Sequence, residues 1–255
     1  MITDAVVSRL PSRWLNGPLG DVANRNVKAV AAHGSDEAGI ASVEYRLGSP
    51  SAPTIMAFGG MAHGLMMPIA EFAGILSGLD VTVLFVKDFR QCWYQRGVRG
   101  LGRSPESSAA ALRDLVPPGS DLRGMVGTSA GGTGALLFGA LLDVPHIVAF
   151  SPRTRITRSA IRTLRRSGTP VPGFRIRAPF HDMRDLLADH PCADVHVHVG
   201  ALNQADMIEA HHLDGLPNVR VVEHPIHEHT SAGYLKDAGL LRSVLIDELG
   251  LATAS

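Results

Sequence analysis

Along this chain, short runs of apolar and β-branched residues alternate with longer stretches whose apolar positions recur every three or four residues. The short runs predict strands at 27–30, 42–46, 54–58, 81–86, 122–126, 146–150, 195–199 and 219–222. The central ones are apolar almost throughout, as parallel strands covered on both faces must be. The first two alternate more and suit an antiparallel pair at the sheet edge. The helical rhythm falls at 68–79, 105–115, 132–142, 180–188 and 231–249. Strand and helix in repeated alternation predict an α/β fold. It would have three layers, a mostly parallel eight-stranded sheet with helices on both faces, built as one domain over 1–255. In such sheets the chemistry sits just beyond the carboxyl ends of the strands, so each candidate residue is judged by whether it follows one.

The segment 153–179 fits this rhythm least. Pro170 and Pro172 interrupt it, and it contains Arg153, Arg155, Arg158, Arg162, Arg165, Arg166, Arg175 and Arg177. Lying after the sixth strand, it reads as a short lid over the site. Two readings of its arginines stand side by side: a solvated basic helix, or a set that meets an anionic part of the substrate, since guanidinium matches carboxylate and phosphate geometry.

Composition narrows the class. Hydrophobic residues are 45% and charged residues 19%, the profile of a folded globular chain rather than a disordered one. Lys+Arg and Asp+Glu both number 24, so no global field draws the chain to nucleic acid or to an anionic membrane. Cys92 and Cys192 lack metal or redox spacing; they read as free thiols in a reducing compartment, with a single disulfide as the alternative. The first residues show no signal-peptide pattern, and no apolar run approaches the roughly 20 residues that span a bilayer. A cytoplasmic location is therefore expected.

The strand at 122–126 runs into Gly127-Thr-Ser129-Ala-Gly131, a G-x-S-x-G match followed by a small-residue helix start. Strand, turn and helix are the setting that a nucleophile elbow requires, and they single out Ser129 as the nucleophile. Side chains at Gly127 or Gly131 would collide with neighbouring backbone in so sharp a turn. A glycine-rich turn that holds phosphate at a helix N-terminus is the competing reading, although the lysine of a Walker loop is missing.

A serine hydroxyl needs an imidazole to take its proton, and the imidazole needs a carboxylate to orient it. The oxyanion that forms needs donors. One is the N–H of Ala130 at the start of the helix, and the other is the N–H of Gly60 or Met61 in the loop after the third strand. His63, in the same loop, lines the pocket or simply stands at the surface. The base must follow the last strand, where His224, His227 and His229 crowd. His224 is still at the strand's end, so His229 is preferred, with His227 in reserve. Asp206 is the first acid after the seventh strand; Asp194 precedes that strand, and Glu209 falls on the helix beyond. His196 and His198 face one side of that strand and are a plausible metal pair, but both faces of the sheet should be covered by helices and no acidic or cysteine partner is evident nearby. No metal or cofactor is expected. Asp88, Trp93 and Tyr94 follow the fourth strand, either at the pocket rim or as an aromatic pair anchoring a loop on the core.

With these pieces in place, the sequence resembles the α/β-hydrolase superfamily over nearly its whole length. His229-Thr-Ser-Ala-Gly-Tyr-Leu, Asp88-Phe-Arg-Gln-Cys-Trp-Tyr-Gln-Arg-Gly and Phe180-His-Asp-Met-Arg-Asp-Leu-Leu look like bacterial hydrolase-like proteins found with glycan biosynthesis. The resemblance implies His229 as the base. It also implies a serine hydrolase acting on an ester or thioester through an acyl-serine. An acyltransferase or cyclase using the same acyl-enzyme, or a non-catalytic binder on this fold, are the alternatives. Where the superfamily often has His-Gly in the oxyanion loop, this chain has Phe58-Gly59, which leaves the donor's register open. The partner expected is a small-molecule or glycan-linked acyl substrate, and a homodimer is left open.

Overall fold

The computed structural model describes residues 27–30, 42–166, 180–191 and 193–251. Residues 167–179 of the segment read as a lid, Cys192 and the N-terminal residues read for a signal peptide lie outside them.

The sheet has eight strands: β1 (Val27–Val30), β2 (Val43–Arg46), β3 (Thr54–Phe58), β4 (Thr82–Val86), β5 (Leu122–Thr128), β6 (His146–Phe150), β7 (Asp194–Gly200) and β8 (Val219–His224). Their spatial order is β1-β2-β4-β3-β5-β6-β7-β8. β2 runs antiparallel to both β1 and β4, and every other pairing is parallel. The helices are α1 (Ile69–Ile75), α2 (Pro105–Arg113), α3 (Ala130–Leu142), α4 (Arg158–Arg166), α5 (Met183–Asp189), α6 (Gln204–His211), α7 (Ser231–Asp237) and α8 (Leu241–Glu248).

Every residue of β3 and β4 is buried, and their side chains alternate between two cores. Met56, Phe58, Leu84 and Val86 enter one with Tyr94 and Phe138; Ile55, Ala57, Val83 and Phe85 enter the other with Phe72 and Leu245. A strand buried on both faces needs apolar residues at every position, which is why the period-2 signal vanishes in the middle of the sheet. All of α3 except Leu141 is buried, so its apolar residues run around the whole helix rather than along a stripe.

The strand order reverses at β3. The chain leaves β3 for β4 on one side and returns to β5 on the other, which opens a crevice beyond the carboxyl ends of β3 and β5. Phe58 and Gly127 stand opposite each other there.

The stretch predicted as a single helix at 231–249 is two helices. Gly239 takes φ 72°, with Gly239 N–H donating to Lys236 O (2.9 Å) and Leu240 N–H to Leu235 O (2.8 Å). This is a Schellman stop, and glycine permits it because the left-handed conformation costs it nothing. The predicted helix 68–79 likewise ends at Ile75, with Gly78 at φ 78° shortly beyond.

Candidate functional site

Ser129 occupies the turn between β5 and α3 with φ 54° and ψ −118°, a backbone conformation that costs a non-glycine residue of order 1–3 kcal/mol. Main chain on both sides holds it there. A Cβ on Gly127 would sit 2.0 Å from Gly131 O, and one on Gly131 would sit 1.9 Å from Phe58 O. Ser129 N–H donates to Phe150 O on the neighbouring strand (2.8 Å), and Thr133 N–H donates to Ser129 O (3.2 Å). The side chain is thereby presented at the crevice.

His229 lies between β8 and α7, a hundred residues along the chain, and its Nε2 is 2.9 Å from Ser129 Oγ. Its Nδ1 is 2.7 Å from Asp206 Oδ1. A carboxylate can only accept, so Nδ1 carries the ring proton and Nε2 is free to accept from the serine hydroxyl. Asp206 is in the first turn of α6, its side chain 8% exposed, and the Asn203 carboxamide oxygen caps that turn by accepting from the N–H of Ala205 and Asp206. The loop carrying His229 is tied down just after it: Ser231 Oγ donates to His198 O (3.0 Å) and stands 3.1 Å from Ser151 Oγ.

Of the three donors read for an oxyanion, the structure separates one. Gly60 N–H donates to Gly64 O at 2.8 Å and is not free. The N–H of Met61, like that of Ala130, meets no acceptor among the described residues. A Cβ at Gly60 would be crowded by Thr128 O, at 3.1 Å. Ala130 opens α3, where the first N–H groups have no partner within the helix.

The loop after β4 braces this donor loop. Asp88 is buried, and its carboxylate accepts from the backbone N–H of Cys92 (2.7 Å), Tyr94 (3.0 Å) and Arg90 (3.1 Å). Burial pushes that carboxyl above the usual range, against the pull of those three N–H groups. Around it Gln91, Trp93 and Tyr94 all take positive φ, a strain that the Asp88 hydrogen bonds sustain. Tyr94 belongs to the core: it is fully buried, edge-on to Phe58 and Phe138, and its hydroxyl reaches Gly59 O (2.8 Å) and Val86 O (2.9 Å). Gln91 Nε2 donates to Met61 O (3.2 Å). Trp93 instead joins Met61, Ala130, Ile156 and Ile161 in a small apolar cluster over the donor loop. Cys92 is buried, and burial and then the Asp88 charge push its thiol up to about 12, which disfavours the thiolate.

His227 is exposed, and His63 packs against Phe89 with ring centroids 4.7 Å apart. His224 is buried with Nε2 3.0 Å from His198 Nδ1. The reading that no acid stands near His196 and His198 is corrected: Asp194 Oδ2 lies 3.2 Å from His196 Nε2, and Glu248, at the end of α8, lies 3.1 Å from His196 Nδ1 and 2.7 Å from His198 Nε2. Burial pushes its carboxyl up, but hydrogen bonds with the two histidines outweigh that and hold it at about 2. Fifty residues of sequence hid this contact. Among the described residues no group of three or more His, Cys, Asp or Glu side chains is arranged to hold a metal ion. No described helix is long and apolar enough to cross a membrane.

No protein-family model matches the sequence, and no curated protein matches it either. Solved structures do. A 2,6-dihydroxy-pseudo-oxynicotine hydrolase aligns with TM-score 0.58 at 15% identity, over 83% of this chain and 66% of its own. The chain thus spans just under two thirds of that hydrolase's length. A dienelactone hydrolase from Anabaena variabilis aligns with TM-score 0.52 at 15% identity, over 82% and 92%. A capsule O-acetyltransferase of Neisseria meningitidis serogroup A gives TM-score 0.52 at 14% identity, over 82% and 92%. At such identities the likeness is one of fold.

Proposed function

Since the chain has the α/β-hydrolase fold, we propose that it is a single-domain serine hydrolase that cleaves an ester or thioester through an acyl–Ser129 intermediate. The observation that carries this reading is the continuous line from Ser129 Oγ through His229 to Asp206, at 2.9 and 2.7 Å. Fold alone would not license it. Ser129 Oγ attacks the carbonyl carbon of the substrate while His229 Nε2 takes its proton, and Asp206 supports the imidazolium that results. The carbonyl oxygen becomes an oxyanion held by the N–H groups of Met61 and Ala130. The tetrahedral species collapses, its leaving group departs with the proton from His229, and Ser129 keeps the acyl group. Water, deprotonated by the same imidazole, then releases the acid and restores the serine.

Transfer to a hydroxyl in place of water uses the same intermediate, and the fold neighbour that is an O-acetyltransferase makes a glycan hydroxyl worth including as an acceptor. A fluorophosphonate probe followed by mass mapping tests the proposal. Labelling at Ser129 is expected, with its loss in His229→Ala; a folded protein that stays unlabelled overturns the reading.

A further inference from the structure

We propose that α4 is a docking face for an anionic polymer, so that the ester presented to Ser129 belongs to an acidic polysaccharide; this rests on the acyl-serine reading above. Residues 152–180 contain eight arginines and no carboxylate, in a chain whose basic and acidic residues both number 24, so the rest of the sequence carries eight more acids than bases. On α4, Arg158, Arg162 and Arg166 are exposed and follow one another at four-residue intervals, so they form a row on one side of the helix. Eight residues at 1.5 Å rise make that row about 12 Å long, with charges about 6 Å apart.

Nothing described neutralises the row. Glu209, the carboxylate that reaches the lid's entry, is already occupied: it pairs with Arg153 Nη1 (3.0 Å) and accepts from the N–H of Thr154 (2.9 Å) and Arg155 (3.1 Å). Asp182 pairs with His212 (2.7 Å) and caps α5. No carboxylate among the described residues forms an ion pair with Arg158, Arg162 or Arg166. Three like charges on adjacent turns repel one another, and a first helical turn that opens with Arg158 sets a cation against the positive end of the helix dipole. An anion relieves both.

The row is also near the chemistry. Ile161, between Arg158 and Arg162, is buried in the cluster that holds Met61, Trp93 and Ala130, which include both proposed oxyanion donors. A single phosphate would meet one or two guanidinium groups. A line of evenly spaced cations fits a chain with a charge on each repeating unit, and acyl chemistry requires that chain to carry ester groups, as the hydroxyls of a sugar polymer can.

The test measures inhibition of 4-nitrophenyl acetate turnover by polygalacturonate, in the wild type and in Arg158→Gln/Arg162→Gln/Arg166→Gln. The inhibition constant is expected to rise tenfold or more in the variant and also with added salt, while kcat/KM for the small neutral ester stays within about twofold. Charge-reversed Arg162→Glu gives a second variant at an exposed position. Absence of inhibition, or an inhibition constant unchanged by the substitutions, overturns the proposal. So does monomeric galacturonate acting as well as the polymer at equal charge, acetyl-CoA showing the larger loss, or a DNA duplex of the same charge competing equally. If Ser129 takes no fluorophosphonate, the acyl-serine reading fails instead, and calorimetric titration with polygalacturonate still reads the docking face directly.

Discussion

Tyr94→Phe isolates one hydroxyl that joins the core to the donor loop. The ring would keep its edge contacts with Phe58 and Phe138, so the substitution removes one oxygen and the hydrogen bond it donates between Gly59 O (2.8 Å) and Val86 O (2.9 Å). Val86 O would keep a partner in Gly59 N–H (2.9 Å), whereas Gly59 O would lose its bond to the hydroxyl. One net hydrogen bond plus one weakened buried acceptor is worth about 1–2 kcal/mol. For a chain of this size that is a fall in Tm of roughly 2–8 °C. The kinetic effect has a different origin. Gly59 stands two residues before Met61, so a looser carbonyl lets the Met61 N–H drift from the oxyanion. Losing a donor outright costs about 10²–10³ in kcat, and partial misplacement is expected to cost about tenfold with KM little changed. Thermal unfolding and steady-state hydrolysis of 4-nitrophenyl acetate check both numbers. A variant that melts lower yet keeps its kcat would refute the claim that Tyr94 positions the donor.

Asp206→Asn should lower kcat by about 10³–10⁴ with KM nearly unchanged, because an amide no longer fixes the His229 tautomer; a loss under tenfold in steady-state assays removes Asp206 from this role. Glu248→Gln tests the buried histidine pair. A carboxyl lowered from 4.5 to about 2 stabilises the fold above its unfolded value and loses that contribution as pH falls through the folded one. Discounted for partial solvent access, this is about 2–3 kcal/mol, so denaturant unfolding should separate variant from wild type at pH 7, less so at pH 3, and bring them together only at about pH 2 or below. Equal separation at both pH values would contradict the assignment. Gly131→Ala places a methyl 1.9 Å from Phe58 O and should cost about 3 kcal/mol or more, measured by urea unfolding, and native stability would mean that the turn is slack.

Much of this architecture can be read from the chain itself, because a doubly covered sheet demands apolar runs and a strained turn demands small residues. β3 and β6 begin and end where their apolar runs do, and Ser129, Asp206 and His229 each follow the carboxyl end of a strand. What escaped the sequence was geometry on a finer scale. The predicted helix 231–249 contained both Gly233 and Gly239, and only the φ of Gly239 shows which of the two ends a helix. Gly60 and Met61 are neighbours, and the internal bond from Gly60 to Gly64 that decides between them is a property of the folded loop. Glu248 meets His196 and His198 only because the last helix lies back against the sheet at β6, beside β7, a contact that no local pattern encodes.

The turn at 129 also separates mount from warhead. Its shape is moulded by main chain on both sides, at Gly131 O and Phe58 O, and the glycines that make room for it are residues 127 and 131 rather than 129 itself. Whatever reactive group hangs from that Cα is delivered to the same point above the sheet, beside the same imidazole. A thiol or selenol installed there would inherit the address of the hydroxyl, so new chemistry on this scaffold calls for exchanging one side chain and leaving its glycine neighbours alone.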